Sequence, residues 1–119
     1  AAHGAGFTLA VAADSPVGCD VETVAARPPE VWRDLLQPHA CLLELAMAAD
    51  GGDQDLAATR IWCALEAAQK AGEVRNGPVT VQDTPAPGWL VFRAGALRVA
   101  TVVTRVAAVE APVVLAVAV

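Results

Sequence analysis

The chain has 119 residues, a formal net charge of −5, and 55% apolar residues of which few are aromatic, 4% of the whole. That length is one domain, able to bury roughly 65% of its unfolded surface, and so apolar a chain is not intrinsically disordered. The acidic balance, with no Lys/Arg cluster, argues against a nucleic-acid surface and against docking on an anionic membrane.

From the N-terminus, residues 7–13 (FTLAVAA) and 17–21 (VGCDV) read as strands. Asp14-Ser15-Pro16 between them is turn chemistry, because Pro fixes φ and Asp or Ser caps a bend locally. The pair is expected to form a hairpin. Side chains alternate along a strand, so Asp20 and Glu22 share one face. Two acids cannot point into an apolar core, and that face must be solvated or hold a cation. After Arg27-Pro28-Pro29, where Pro suits a first helical turn, residues 30–36 form a helix that Pro38 stops. Residues 41–49 (CLLELAMAA) form a second, ended by Asp50-Gly51-Gly52. Asp53 or Asp55 caps a third, running to Ala71 and closing at Gly72.

The final third returns to strands, over 79–81, 89–92, 97–106 and 113–119, rich in β-branched residues and divided by turn residues at 84–88 and 94–95. Strands, then helices, then strands without strict alternation predict an α+β fold with a mostly antiparallel sheet packed against helices. The apolar tail 99–119 is broken by Arg105, Glu110 and Pro112, and its last uninterrupted run is too short to span a bilayer. Cys19, Cys41 and Cys63 make an odd count without a CxxC pair. They read as buried small hydrophobes rather than disulfide or zinc residues, which fits a reducing cytoplasm. The chain begins at Ala1 and its one methionine is Met47, so the sequence is expected to be a single domain, 1–119, either processed at its N-terminus or a piece of a longer polypeptide, and the half-domain resemblance described below favours the piece.

The third helix carries the chemistry. Trp62, Glu66 and Lys70 lie at i, i+4 and i+8 and form one stripe, while Leu56, Ala64, Ala67 and Ala71 can pack on another side. Glu66 and Lys70 are in the favourable order for a surface ion pair worth about 0.3–0.5 kcal/mol. Lys70 is the sole lysine among eight basic residues. Arginine is the chain's ordinary cation, so a compact, tunable ammonium one turn beyond a carboxylate stands out. Asp20, Glu22 and Glu66 together would offer the oxygen ligands that Mg²⁺ takes beside a phosphorylated substrate.

These residues resemble a known family. Val17-Gly18-Cys19-Asp20-Val21-Glu22 is similar to the G-(V/I)-D-(V/I)-E motif of the 4′-phosphopantetheinyl transferases. Trp62 to Lys70 (WCALEAAQK) resembles their W-x-x-K-E-(A/S)-x-x-K motif, with Leu65 at its first lysine position. Ala2-His3-Gly4 looks like their S-H-S segment, and the order and intervals resemble the C-terminal half of the surfactin-synthetase-activating type. The resemblance implies a phosphopantetheinyl-transferase-like α+β half-domain, an Mg²⁺ held by Asp20, Glu22 and Glu66, Lys70 at the phosphate, and Glu66 as base. It implies His3 as the contact for the 3′-phosphate of coenzyme A. The implied reaction transfers phosphopantetheine from coenzyme A to a serine of an acyl or peptidyl carrier protein. A second transferase half, from the same polypeptide or another copy, would complete the site. By analogy the domain would sit in a polyketide or fatty-acid megasynthase. The competing expectation is a degenerate transferase-like module that serves assembly or carrier docking. Arg27 and Arg33 would give an acidic carrier a local basic edge.

Overall fold

The computed structural model describes residues 1–4 and 6–119. Its strands are β1 (Ala2–Gly4), β2 (Phe7–Leu9), β3 (Gly18–Thr23), β4 (Val79–Asp83), β5 (Trp89–Ala94), β6 (Leu97–Thr104) and β7 (Val113–Ala118). Its helices are α1 (Pro29–Leu36), α2 (Leu43–Ala49) and α3 (Gln54–Lys70). The fold is α+β: one five-stranded antiparallel sheet, ordered β3-β7-β6-β5-β4, packs against the three helices. Among the described residues no helix is long and apolar enough to cross a membrane.

The expected hairpin between the first two strands is not formed. β2 pairs with β1 in a separate two-stranded ribbon, and β3 pairs antiparallel with β7, Asp20 opposite Ala116 and Glu22 opposite Val114. Burial decides the exchange. β7 is nearly all apolar and needs a neighbour on each side, which β3 and β6 supply. The outward side chains Cys19 and Val21 then close a small second core with Ala2 and Val113.

α3 lies across the other sheet face. Asp53 caps it, its side chain accepting from the Leu56 amide at 3.1 Å, and Gly72 follows the last turn with φ 105°. The face that meets the sheet is built of small residues, Ala57, Ala64, Ala67 and Ala68, with Ile61 and Leu65 among them, all buried. Opposite stand Leu90, Phe92, Val99, Val114 and Ala116, and α1 and α2 close the core with Trp32, Leu36, Leu42 and Leu43. Full burial of one such large side chain stabilises by about 1.5–3 kcal/mol. Leu65 belongs to this core and does not join the charged stripe.

Gly18 lets α3 approach β3. A Cβ there would stand 2.1 Å from the Ala67 carbonyl oxygen and 2.6 Å from the Ala71 nitrogen, so only glycine fits at this crossing. A second device is polar. The Arg60 guanidinium is buried, donating from Nε and Nη2 to the two oxygens of Asp50 at 3.1 and 2.6 Å, and from Nη1 to the carbonyls of Gly88 and Thr101 and to Thr101 Oγ1. It ties the end of α2 through α3 to β5 and β6.

Cysteine burial is split: Cys19 and Cys63 are buried, whereas Cys41 is exposed. The second helix begins with a 3₁₀ turn at Ala40–Leu42. The residues it turns inward are Leu42, Leu43 and Ala46, leaving Cys41 outside.

Candidate functional site

The strip of α3 that the sheet leaves uncovered carries Trp62, Glu66 and Lys70, and it runs beside the inward face of β3. Because α3 rests on Gly18, Asp20 two residues on meets the end of the helix: Lys70 Nζ donates to Asp20 Oδ1 at 3.0 Å. Glu22, a further two residues along the same face, feels both Asp20 and Glu66. Asp20, Glu22, Glu66 and Lys70, separated in sequence by up to fifty residues, therefore share one locality. His3 lies apart on β1, where its Nδ1 bonds Thr8 Oγ1 at 2.9 Å.

The ion pairs differ from the helical expectation. Lys70 pairs with Asp20 rather than with Glu66, and Glu66 Oε1 accepts from Arg75 Nη1 at 3.4 Å. Two elements meeting at a groove override an i,i+4 contact along one helix, because the partly buried Asp20 gains more from a cation than the half-exposed Glu66 does. Arg75, in the loop after α3, is a residue the sequence reading missed. Its guanidinium stacks over Trp62, 4.9 Å from the ring centroid, and its Nη2 donates to the Leu35 carbonyl at 3.0 Å. His39 Nε2 donates to the Arg75 carbonyl at 3.0 Å, fixing the loop from behind. No periodicity marks a loop residue, so only the fold could place it.

Burial, followed by the hydrogen-bonding contact with Asp20 and its negative charge, pushes the Glu22 carboxyl up to about 7 from 4.5, against the Trp62 indole N–H, which favours the charged form. Burial works against the Lys70 ammonium, but its bond to Asp20 and the charge there outweigh this and raise its pKa. Burial likewise pushes the Cys63 thiol up, helped by Asp20 and Glu22, which leaves it an inert packing group. Among the described residues no donor group is hydrogen-bonded to the buried Asp20 Oδ2. Two adjacent carboxyls, one with an open oxygen, are stable together only with a proton or a cation between them.

That orphaned acceptor, with Glu22 beside it and Glu66 near, fits a hard divalent cation by donor chemistry. Among the described residues, though, no three His, Cys, Asp or Glu are grouped as a metal site; Lys70 and Arg75 instead hold one oxygen each of Asp20 and Glu66. Next to Glu22 a cleft of about 160 Å³ opens between β3, α1 and α3, with Arg27, Trp32, Leu35, Thr59 and Trp62 on its walls. Asp55 fixes this wall, accepting from the Trp32 indole at 2.9 Å and from the Arg27 amide at 3.1 Å, while Arg27 stacks over Trp32 at 5.3 Å.

A pH dependence follows from Glu22. Its folded pKa lies above the unfolded value, so the stability it contributes is complete below about pH 4.5 and is lost as pH rises towards 7. In metal-free buffer the melting temperature is expected to fall between about pH 5 and about pH 8, and Glu22→Gln to flatten that slope. A melting temperature that is level or rises in the unaltered protein would sink this account of the pair.

No family model, curated protein or solved structure matches this chain.

Proposed function

We propose that the chain is a half-domain of an Mg²⁺-dependent phosphopantetheinyl transferase that moves phosphopantetheine from coenzyme A to a serine of an acyl or peptidyl carrier protein. One observation supports this above the rest: Asp20, Glu22, Glu66 and Lys70, from the two acidic motifs of the resemblance, lie close together, and among the described residues Asp20 Oδ2 has no hydrogen-bond partner.

In this reading Asp20 and Glu22, with Glu66, would hold the cation, whose contribution would be to neutralise charge on the pyrophosphate of coenzyme A. Lys70 lies beside Asp20 with its side chain 42% exposed, within reach of an incoming phosphate. Glu66, half-exposed, takes the proton of the carrier serine directly or through a water. The serine oxygen forms a bond to the β-phosphorus, and the bond to the bridging oxygen breaks, releasing adenosine 3′,5′-bisphosphate. The exposed Arg27, on the wall of the cleft, and Arg33, farther along α1, offer an acidic carrier a basic edge. His3 reaches the 3′-phosphate only from the β1–β2 ribbon. A second half, supplied by the same polypeptide or by another copy, closes the coenzyme site.

The second reading, a degenerate docking module in a megasynthase, draws on the two ion pairs that already neutralise Asp20 and Glu66. Intact-mass spectrometry separates the two. An apo carrier incubated with the chain, coenzyme A and Mg²⁺ is expected to gain a phosphopantetheine arm, and EDTA or Glu66→Gln to abolish the gain. If neither this chain nor the longest native polypeptide containing it modifies a carrier, the transferase reading is lost and the docking module stands.

A further inference from the structure

We propose that Arg75 is the anion-binding residue of this groove: a preset guanidinium that rests on Glu66 while the site is empty and takes a phosphate oxygen when a phosphate-bearing substrate arrives. This deepens the proposed function and rests on it for the nature of the substrate.

Arg75 is held as a binding arm, not as a loose surface charge. Its backbone carbonyl is pinned by buried His39, its Nη2 by the Leu35 carbonyl, and its plane by Trp62. Those restraints settle the guanidinium in one place before any ligand comes, which removes the ordering cost that a free arginine meets on binding. Among the described residues, protein acceptors engage two of its five N–H donors. The bond to Glu66, at 3.4 Å, is the longer of the two, and both side chains remain about a quarter exposed. An ion pair made to hold the fold would be short and closed, as Arg60–Asp50 is in the same molecule at 2.6 Å with side chains 2% and 4% exposed. The contrast marks the Glu66 contact as exchangeable.

Charge argues the same way. Three carboxylates here face two cations, and Asp20 already carries Lys70 while keeping Oδ2 buried and unpartnered. A divalent cation at that open oxygen would draw Glu66 away from Arg75 and leave a planar, bidentate donor next to the metal. A guanidinium so placed matches the oxygens of a pyrophosphate better than an ammonium does. Leu65, being core, cannot give a cation from the helix; the loop supplies it.

Titration calorimetry with inorganic pyrophosphate in the presence of Mg²⁺, and with Mg²⁺ alone, tests this on the full chain. Arg75→Gln removes the charge and leaves a polar side chain two bonds shorter than the guanidinium, which lets go of Leu35 and Glu66. It is expected to weaken pyrophosphate at least tenfold and to bind Mg²⁺ alone no more weakly, because Glu66 is released. Arg75→Lys, which restores charge without the fork, is expected to recover pyrophosphate binding to within a few-fold. Unchanged pyrophosphate affinity in Arg75→Gln, an equal loss of both ligands, no recovery in Arg75→Lys, or no pyrophosphate binding by the unaltered chain would each overturn the proposal. If the binding data come out as expected and no carrier is modified, the transferase reading fails and Arg75 keeps its role.

Discussion

Replacing Asp50 with alanine is expected to cost about 3–5 kcal/mol, because it strands a buried arginine charge. The Arg60 guanidinium has no route to solvent, and Asp50 supplies the only opposite charge among its partners. The carbonyls of Gly88 and Thr101 accept hydrogen bonds from it but do not neutralise it. Urea unfolding of Asp50→Ala would show the midpoint falling with the slope unchanged. Replacing both partners by leucine is the control: with no charge left to solvate, much of the loss is expected to return, since apolar substitutes for a buried pair are often neutral. If the double variant is as unstable as Asp50→Ala, the pair acts through the shape of the α2 terminus and not through charge.

Gly18→Ala has the second large effect. The added Cβ would fall 2.1 Å from a helix carbonyl, an approach no side-chain rotation relieves, because the backbone fixes where a Cβ stands and the carbonyl is itself backbone. Either β3 or α3 must retreat, at a cost of about 3 kcal/mol or more. The retreat also parts Asp20 from Lys70, whose contact lies two residues along the same strand. The variant is therefore expected to lose cation binding along with stability. A well-folded Gly18→Ala protein with unaltered melting would mean that the helix can slide over the sheet, and that the crossing does not set the site's geometry.

The glycine of the acidic motif thus acts at a distance from any ligand, and nothing in the local pattern of Gly18-Cys19-Asp20 reveals that. Other features were legible. An acidic cap at Asp53 or Asp55, the three helices and the return to strands follow from capping, proline and β-branched runs, all of which act over a few residues; the structure selects Asp53. The shared face of Asp20 and Glu22 follows from strand alternation alone. The partner of β3 was not legible, because Asp14-Ser15-Pro16 makes a nearby hairpin look natural while the choice rests on how β7 buries both of its faces. Nothing in the local sequence separates Arg60 from Arg75. One is sealed between α2 and the sheet, the other stacked at the groove, and only long-range packing separates them. The helical pairing of Glu66 with Lys70 failed for the same reason: its rule treats a helix as isolated.

The position of β7 has a consequence for how the molecule comes into being. It is the last strand in chain order, yet it lies between β6 and β3, and Gly18 waits for Ala118 about 100 residues away. A growing chain on the ribosome can close β5 on β6 and wind α3 early, since those contacts are local. β3 has no ladder partner until the final six-residue strand emerges and slots in. Such late, long-range closure slows folding and leaves a strand edge bare meanwhile. The ladder of β3, the strand that carries Asp20 and Glu22, is therefore complete only after residues through Ala118 have emerged.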